Sequence, residues 1–218
     1  MITALNVFYY IIIFIMGSVF GSFFTLAVYR LPLHKDITHE RSFCPNCNHR
    51  LEFLDMIPIW SYIFLGGKCR YCGQKIRPRY LILEILSGTA FLLAYISYKV
   101  NLIDISLGNS INYANLINLI AFVFVYITII IVGFIDREHH KVHWGTMAFG
   151  LISQVVIYSI ALLLGIQLSY IQIIIVAVSM VLISLYGLLN RNSKIKIPIA
   201  FYFGLLTIIV IIFSNFLL

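Results

Sequence analysis

The sequence is dominated by apolar stretches that are long enough to cross a lipid bilayer. A helix needs about 20 apolar residues to span roughly 30 Å of hydrocarbon, and six stretches meet that requirement: 7–29, 81–98, 113–135, 145–165, 168–189 and 197–217. Hydrophobic residues make up 61% of the chain and charged residues 11%, whereas soluble domains carry about 25% charged residues. The sequence therefore predicts an all-α integral membrane protein with about six transmembrane helices.

The basic residues predict which side of the membrane each loop occupies. Lys and Arg concentrate in cytoplasmic loops, and nine of the fifteen basic residues lie in the segment 30–80. Two more lie in 136–144 and three in 190–196, which fall on the same side if six helices alternate. We therefore expect an outside N-terminus and a cytoplasmic segment 30–80. Attraction to the anionic lipids of the bilayer accounts for the net charge of +7, and no nucleic-acid partner is expected.

Three regions are expected along the chain. The first helix occupies 1–29 and remains as an anchor, because it lacks the basic start and the cleavage site of a signal peptide. A polar module follows at 30–80, and a five-helix membrane region occupies 81–218. The polar module is too small to hold a large core of its own, which favours stabilisation by a metal.

All four cysteines lie in the polar module as two Cys-x-x-Cys hooks, Cys44 with Cys47 and Cys69 with Cys72. Two such hooks supply the four thiolates of a tetrahedral structural zinc site. Disulfides are the alternative, but they are rare in the reducing cytoplasm where this module is expected to lie. The pattern therefore favours a small cytoplasmic zinc-binding module with four cysteine ligands between the first and second helices. His49 follows the first hook and is predicted to be a surface residue, because four thiolates already fill the tetrahedron.

Asp136 ends an apolar stretch, and acids at such positions usually have a function or a partner, because burial in a membrane is costly. If the helix continued one turn further, His140 and His143 would share a face with Asp136. Three interpretations stay open. They are a metal site formed by these three side chains, acid–base chemistry by Asp136, and a helix end among lipid headgroups.

The motifs taken in order resemble those of the type IV prepilin leader peptidases, membrane enzymes that trim and N-methylate pilin-like precursors. The matching segments are GSVFGSFFTLAVYRLP at 17–32, the two cysteine hooks CPNC and GGKCRYCGQKI, RPRYLILE at 77–84, GFIDREHHKVHW at 133–144 and KIKIPIAFYFG at 194–204. The resemblance implies an aspartic endopeptidase of the bacterial inner membrane with Asp136 as a catalytic residue. Candidate supporting residues are Arg30, Glu84, His140 and His143.

The resemblance also implies partners and cofactors. The substrates would be prepilin or pseudopilin precursors of type IV pili, competence systems or type II secretion. S-adenosylmethionine would be a second cofactor beside zinc if the chain also methylates. The oligomeric state is not predicted.

One element of the family pattern is missing from this sequence. Members cleave with two aspartates, the second in a Gly-x-Gly-Asp-x-Lys motif, because one carboxylate must be ionised while its neighbour stays protonated. The eight acids of the chain end at Glu138, and the segment YGLLNRNSKIK at 186–196 contains none. A stretch of about two spans is therefore expected to be deleted. Thr25 and His143 also stand where the family usually has Asn and Pro.

Three functions remain open at this point. The first is cleavage of pilin-like precursors, which would need a second carboxylate from Asp36, Asp55 or Glu84, or from a second copy of the chain. The second is N-methylation without cleavage. The third is a zinc-bearing membrane scaffold for pilin assembly that catalyses nothing.

Overall fold

The predicted membrane-spanning stretches form α-helices wherever the structure describes them. The computed structural model describes residues 2–37, 41–100, 102, 112–166, 170–190 and 197–217. Its helices are α1 (Ile2–Arg30), α2 (Trp60–Phe64), α3 (Arg79–Ser97), α4 (Tyr113–His139), α5 (Trp144–Leu163), α6 (Tyr170–Leu189) and α7 (Ile199–Leu217). Within the described ranges six helices are long and apolar enough to cross a membrane, which confirms the predicted all-α class and number of spans. Asp104 and the basic segment 191–196 lie outside the described residues.

Two short 3₁₀ turns complete the helical elements of the polar module. The turn Leu31–Leu33 continues directly from α1, and the turn Phe53–Met56 precedes α2. The second turn has a reciprocal capping box, because the Asp55 carboxylate accepts a hydrogen bond from the Glu52 amide at 3.1 Å. Asp55 is therefore a capping residue of the module.

The end of α4 differs from the predicted boundary, since the helix reaches His139 rather than residue 135. His140 then adopts a left-handed conformation with φ 52°, and its amide donates to the Asp136 carbonyl oxygen at 2.8 Å. Asp136 therefore lies inside the last turn of the helix. The helix does not continue through residue 143, as a shared helical face of Asp136, His140 and His143 would require.

The chain forms two compact units, residues 1–92 and 93–218, and the predicted three-part division stays a prediction. In the first unit α1 and α3 approach each other at glycines. A Cβ atom added to Gly21 would lie 2.6 Å from the Leu83 carbonyl oxygen, and one added to Gly88 would lie 2.9 Å from the Phe14 carbonyl oxygen. Small residues of this kind let membrane helices pack backbone against backbone.

In the second unit α4 is the central helix and packs against both α5 and α7, while α6 packs against α7. Gly133 of α4 lies against α7, since an added Cβ would be 3.1 Å from the Phe201 Cα. The Phe134 ring meets the Phe201 ring edge to face at 5.1 Å. This close contact brings the last turn of α4 to the first turn of α7, where Asp136 lies.

Candidate metal centre and buried carboxylates

The first cysteine hook is a tight turn closed by backbone hydrogen bonds. The Cys44 amide donates to the His49 carbonyl oxygen at 2.9 Å, and the Asn48 amide donates to the Cys44 carbonyl oxygen at 2.8 Å. Asn48 has φ 55°, in the left-handed region that Asn tolerates better than most residues. The chain therefore reverses within six residues and presents two thiols on one side.

The second hook repeats this geometry. The Cys69 amide donates to the Gln74 carbonyl oxygen at 2.8 Å, and the Gly73 amide donates to the Cys69 carbonyl oxygen at 2.9 Å. Gly73 takes the position of Asn48 with φ 69°. An isolated antiparallel bridge closes each hook, from Phe43 to Arg50 and from Lys68 to Lys75. The two hooks are thus one structural unit used twice.

The four thiols converge on one point. All four Sγ atoms lie within 4.8 Å of one another, and the Cys44 and Cys72 Sγ atoms are 3.9 Å apart. Tetrahedral zinc with Zn–S bonds of about 2.3 Å requires Sγ atoms about 3.8 Å apart. The cysteines are free rather than paired as disulfides. The cluster is therefore consistent with a structural metal site in which protein ligands fill every position.

The surroundings of the cluster give the thiols of Cys47 and Cys72 different pKa values. The Gln74 amide and then the Asn46 side chain donate hydrogen bonds that lower the pKa of Cys72 to about 6. A backbone hydrogen bond from His49 lowers the pKa of Cys47, but desolvation and the neighbouring thiols Cys44 and Cys72 outweigh it and raise that pKa to about 11. Such a split is expected when several thiols share a small space, because each thiolate disfavours the next. A dication removes that repulsion.

His49 lies outside the ligand set of this cluster. Its ring stacks on the Tyr71 ring with centroids 3.6 Å apart. Tyr71 in turn donates to the Asp55 carboxylate at 3.1 Å, and Arg70 pairs with that carboxylate at 2.9 Å. These contacts connect the second hook to the turn Phe53–Met56 and stabilise the module from outside the cluster.

A cavity of about 500 Å³ lies beside the cluster in the first unit. Its lining combines the end of α1, both hooks, α2 and the start of α3, and includes Tyr29, Arg30, Tyr62, Tyr80 and Glu84. The volume lies in the usual range for small-molecule sites, which is about 300–1,000 Å³. The walls supply aromatic rings, arginines and carboxylates together.

Arg30 fixes one wall of this cavity. The residue is 2% exposed, and its guanidinium donates to the Asp36 carbonyl oxygen at 2.9 Å and to the Arg41 carbonyl oxygen at 3.3 Å. These bonds hold the chain that leaves α1 against the end of that helix. Arg30 thus shapes the site through the backbone that it binds.

Glu84 also lines the cavity. Its side chain is buried in α3, and Oε2 accepts a hydrogen bond from the Ile59 amide at 2.7 Å. Ile59 has φ 65°, an unfavourable conformation for a β-branched residue, so this bond helps to hold a strained segment. The carboxylate also borders the cavity beside Ser22.

Asp136 lies in the second unit and is fully buried. Its Oδ2 accepts a hydrogen bond from the Ala200 amide at 3.0 Å, so the carboxylate caps the first turn of α7. The Tyr186 hydroxyl shares its proton between Oδ1, at 3.1 Å, and the Ile197 carbonyl oxygen, at 2.7 Å, and accepts a bond from Asn190 at 2.9 Å. Both carboxylate oxygens therefore have protein partners.

The two histidines predicted to share a helical face with Asp136 lie at the break between α4 and α5 instead. His140 is the left-handed residue that ends α4. His143 begins the next helix instead, because its Nδ1 accepts a hydrogen bond from the Thr146 amide at 3.2 Å. Among the described residues the four cysteines are the one group placed to hold a metal ion. The interpretation of Asp136, His140 and His143 as ligands on one helical face loses its geometric basis.

Tyr186 and Ala200 were not identified from the sequence. They lie 50 and 64 residues from Asp136, a separation that no local pattern reveals. The available signal was a tyrosine near the end of an apolar stretch, with Asn190 one turn later. Such polar pairs in membrane helices often have a hydrogen-bond partner on a neighbouring helix.

Comparison with known proteins gives a family match that lies mostly in the first unit. Residues 15–98 match the family model described as the bacterial Peptidase A24 N-terminal domain. The prepilin leader peptidase/N-methyltransferase of Klebsiella pneumoniae is 40% identical over 88 residues, which cover 38% of this chain and 39% of that protein. The protein of the same name from Bacillus subtilis (strain 168) is 40% identical over 91 residues, covering 42% and 37%.

A longer match reaches the second unit. The prepilin leader peptidase/N-methyltransferase of Dichelobacter nodosus is 32% identical over 146 residues, which cover 55% of this chain and 46% of that protein. The chain thus matches less than half of the length of each of these three relatives. No solved structure gives a significant match.

Proposed function

We propose that this multi-pass membrane protein processes type IV pilin-like precursors. The proposal is based on the match of residues 15–98 to the bacterial prepilin peptidase family. Prepilins or pseudopilins are the substrates in this proposal. The distribution of Lys and Arg supports a cytoplasmic position for the zinc-binding module and an outside N-terminus in the bacterial inner membrane. Substrate would then meet the protein at the cytoplasmic membrane surface.

N-methylation is the part of this processing that the geometry supports best. The observation that carries it is the cavity of about 500 Å³ in the first unit, which lies within the region matched to the family. S-adenosylmethionine carries a positive sulfonium, a carboxylate and an adenine ring. The lining offers a counterpart to each, because carboxylates and aromatic faces attract cations and arginine binds carboxylates.

The residues of the cavity have separate roles in this proposal. Glu84 and the rings of Tyr29, Tyr62 and Tyr80 would surround the cationic part, and Arg77 would hold the carboxylate. When bound, S-adenosylmethionine supplies the methyl group that is transferred to the amine of the trimmed precursor. Glu84 also accepts the proton of the Ile59 amide, so the same side chain fixes the wall and supplies negative charge. Arg30 positions part of the cavity wall through its bonds to the Asp36 and Arg41 carbonyl oxygens.

Zinc has a structural role in this proposal. Four thiolates fill a tetrahedral shell and leave no position for substrate or water. The metal would hold the two hooks together and thereby hold the side of the cavity that they form.

Cleavage of the leader peptide by Asp136 is the second candidate. Its support is a fully buried carboxylate at the position that resembles the first catalytic aspartate of the family. The reaction needs a second carboxylate, and the other acid among the described residues of this unit is Glu138. That residue lies two positions along the same helix, where side chains diverge. Cleavage would therefore require a carboxylate from elsewhere, for example from a second copy of the chain.

One experiment separates the candidates. Purified full-length protein in detergent is incubated with S-adenosylmethionine and either an intact or a pre-trimmed pilin-like precursor, and product masses are measured. We expect the pre-trimmed precursor to gain one methyl group and the intact precursor to keep its leader. Glu84→Gln should reduce methylation, because the neutral amide attracts the cationic cofactor less.

Other outcomes decide against the first candidate. Loss of the leader from the intact precursor, abolished by Asp136→Asn, would establish the peptidase. A protein that neither shortens nor methylates either precursor would contradict processing altogether. The scaffold interpretation would then be left, and it predicts that a pilin-like helix copurifies with the protein only when the cysteine hooks are intact.

A further inference from the structure

A large apolar surface is exposed between the two cysteine hooks. Phe53 is 78% exposed, Phe64 is 76% exposed, and Trp60 and Ile63 are each 60% exposed. Leu54 and Met56 extend the same segment. We call these six side chains the inter-hook surface. Exposed apolar groupings of this size mark contact with a membrane or with another protein.

The inter-hook surface is held in shape by its own contacts. Trp60 and Phe64 lie one turn apart on α2, and their rings stack with centroids 5.4 Å apart. The capping box between Glu52 and Asp55 fixes the preceding turn, which contacts α2. The apolar side chains are therefore presented by ordered backbone.

A hydrogen bond places this segment at the depth of a membrane helix. The Ile59 amide, directly before α2, donates to the Glu84 carboxylate of α3 at 2.7 Å. With 19 residues, α3 is about 28 Å long, which only just matches the hydrocarbon thickness of roughly 30 Å. Glu84 is the sixth residue of that helix, about 7.5 Å from its start. A helix so short cannot extend Glu84 into bulk water, so the start of α2 lies near the boundary between headgroups and acyl chains.

The chain on either side keeps the module close to the bilayer. It leaves α1 at Arg30, and the guanidinium of that residue holds the carbonyl groups of Asp36 and Arg41 near the helix end. It enters α3 at Arg79. Both ends of the module are thus tied to the same membrane face, because α1 and α3 are consecutive spans.

The charge of the module fits a lipid surface. Segment 30–80 contains nine basic and four acidic residues. Arg50, Lys68, Lys75 and Arg77 are exposed. Basic residues beside exposed tryptophan and aliphatic side chains are the composition of segments that lie in the interface of anionic membranes.

We propose that the inter-hook surface inserts into the adjoining anionic leaflet, so that residues 53–64 form a monotopic anchor of the zinc-binding module. The module is then attached to the bilayer at three places, α1, α3 and this segment. The anchor orients the cavity toward the membrane surface, since Met56 and Tyr62 belong to both the segment and the cavity lining. The proposal concerns lipid contact alone and holds whatever reaction the cavity performs.

The chain is suited to a direct test, because Trp60 and Trp144 are its two tryptophans. The variant Trp144→Phe reports on Trp60 alone, and Trp60→Phe reports on Trp144, which begins the membrane helix α5 and serves as the matched reference. Each full-length variant is reconstituted in vesicles of phosphatidylethanolamine and phosphatidylglycerol. Its fluorescence is then quenched with lipids brominated on the acyl chain and, separately, with aqueous acrylamide.

We expect brominated lipid to quench Trp60 to a similar extent as Trp144, and acrylamide to quench it less than free N-acetyltryptophanamide. Replacing phosphatidylglycerol with phosphatidylcholine should reduce the lipid quenching of Trp60 and leave that of Trp144 unchanged. Adding Phe53→Ser and Phe64→Ser to the Trp60 reporter should shift its emission to the red and reduce quenching by lipid. An unchanged zinc content in that variant shows that the hooks remain folded.

Three results would overturn the proposal. Efficient quenching by acrylamide without quenching by brominated lipid would place Trp60 in water. Protection from both quenchers would show that protein covers the surface, either a second copy or a pilin-like helix. Lipid quenching that is insensitive to headgroup charge would refute the requirement for an anionic leaflet.

Discussion

The two units each bury a carboxylate that accepts a hydrogen bond from a distant backbone amide, but the two sites differ in what remains available. Glu84 binds the Ile59 amide at 2.7 Å and still borders a cavity of about 500 Å³. Asp136 binds the Ala200 amide at 3.0 Å and Tyr186 at 3.1 Å, and neither oxygen is left without a partner. A buried acid in a membrane helix is a sign of function. Free space beside Glu84 makes it a candidate ligand-binding residue, whereas Asp136, with both oxygens occupied, acts as a helix cap.

The units also differ in what stabilises them. The first depends on a cluster of four thiols that converge on one point. In the second, α4, α5 and α7 pack around apolar side chains, and Asp136 adds hydrogen bonds at one end. Removal of a metal should therefore affect the first unit and leave the second folded.

The largest expected effect is the loss of zinc from Cys44→Ser. Structural zinc contributes roughly 10–16 kcal/mol to the folding of small modules, so removal of a ligand should release the metal and expose residues 41–78 to proteases. Metal content by mass spectrometry and limited proteolysis check this. His49→Ala, next to the same hook but outside the cluster, should keep zinc. Full zinc content and protease resistance in Cys44→Ser would contradict the assignment.

The next effect is expected at Asp136. Asp136→Ala leaves the buried Ala200 amide without its acceptor, at about 1–3 kcal/mol, while the Tyr186 hydroxyl keeps the Ile197 carbonyl oxygen. The melting temperature should then fall by roughly 2–4 °C per kcal/mol for a chain of this size. Asp136→Asn keeps one acceptor oxygen and should lose much less. Thermal unfolding in detergent measures both variants, and equal melting temperatures for wild type and Ala would remove the capping role.

A smaller effect is expected at Glu84, since a single backbone amide depends on it. Glu84→Ala should cost about 1–3 kcal/mol, reduced where water enters from the cavity. The local result is faster hydrogen exchange at the Ile59 amide and in α2, with exchange in α7 unchanged. Glu84→Gln retains an acceptor and is the matched control. If exchange in α2 is the same in all three proteins, the bond does not hold this segment.

The smallest expected effect is that of Tyr186→Phe. It removes one hydroxyl and should cost about 0.5–1.5 kcal/mol, because the Ala200 amide still binds the carboxylate. Tyr202→Phe is the control, since Tyr202 is exposed on the first turn of α7, the turn that contains Ala200. Thermal unfolding should separate the two variants. A larger loss for Tyr202→Phe would show that the Tyr186 hydroxyl is not a stabilising partner.

The sequence was sufficient for the six spans and both hooks because each depends on neighbouring residues. Apolar stretches of about 20 residues have few alternatives to a membrane helix. Asn48 and Gly73 supply the left-handed positions that turns require, and Asn and Gly are residue types typical of turns. Neighbouring residues therefore determine the turn conformation of both hooks.

The sequence was insufficient where tertiary contact decides. Histidine is an uncommon residue both for a left-handed helix end and for a helix cap. His140 and His143 nevertheless take these two positions, so the break predicted after residue 135 lies four residues later, and the roles of both histidines were missed. The partners of Asp136 belong to helices that follow much later in the chain, and apolar periodicity gives no register between helices.

The glycine contact between α1 and α3 has a consequence for how the protein is made. Gly17 and Gly21 leave a groove on α1 that α3 fills with backbone atoms and with the Cβ atoms of Ser87 and Phe91. About fifty residues separate the two helices, and a ribosome needs roughly 3–10 s to add them. During that interval α1 sits in the lipid with its groove open, and the intervening thiols emerge before the second helix can hold their ends together. All four thiols are therefore synthesised before α3, the helix that closes the groove on α1.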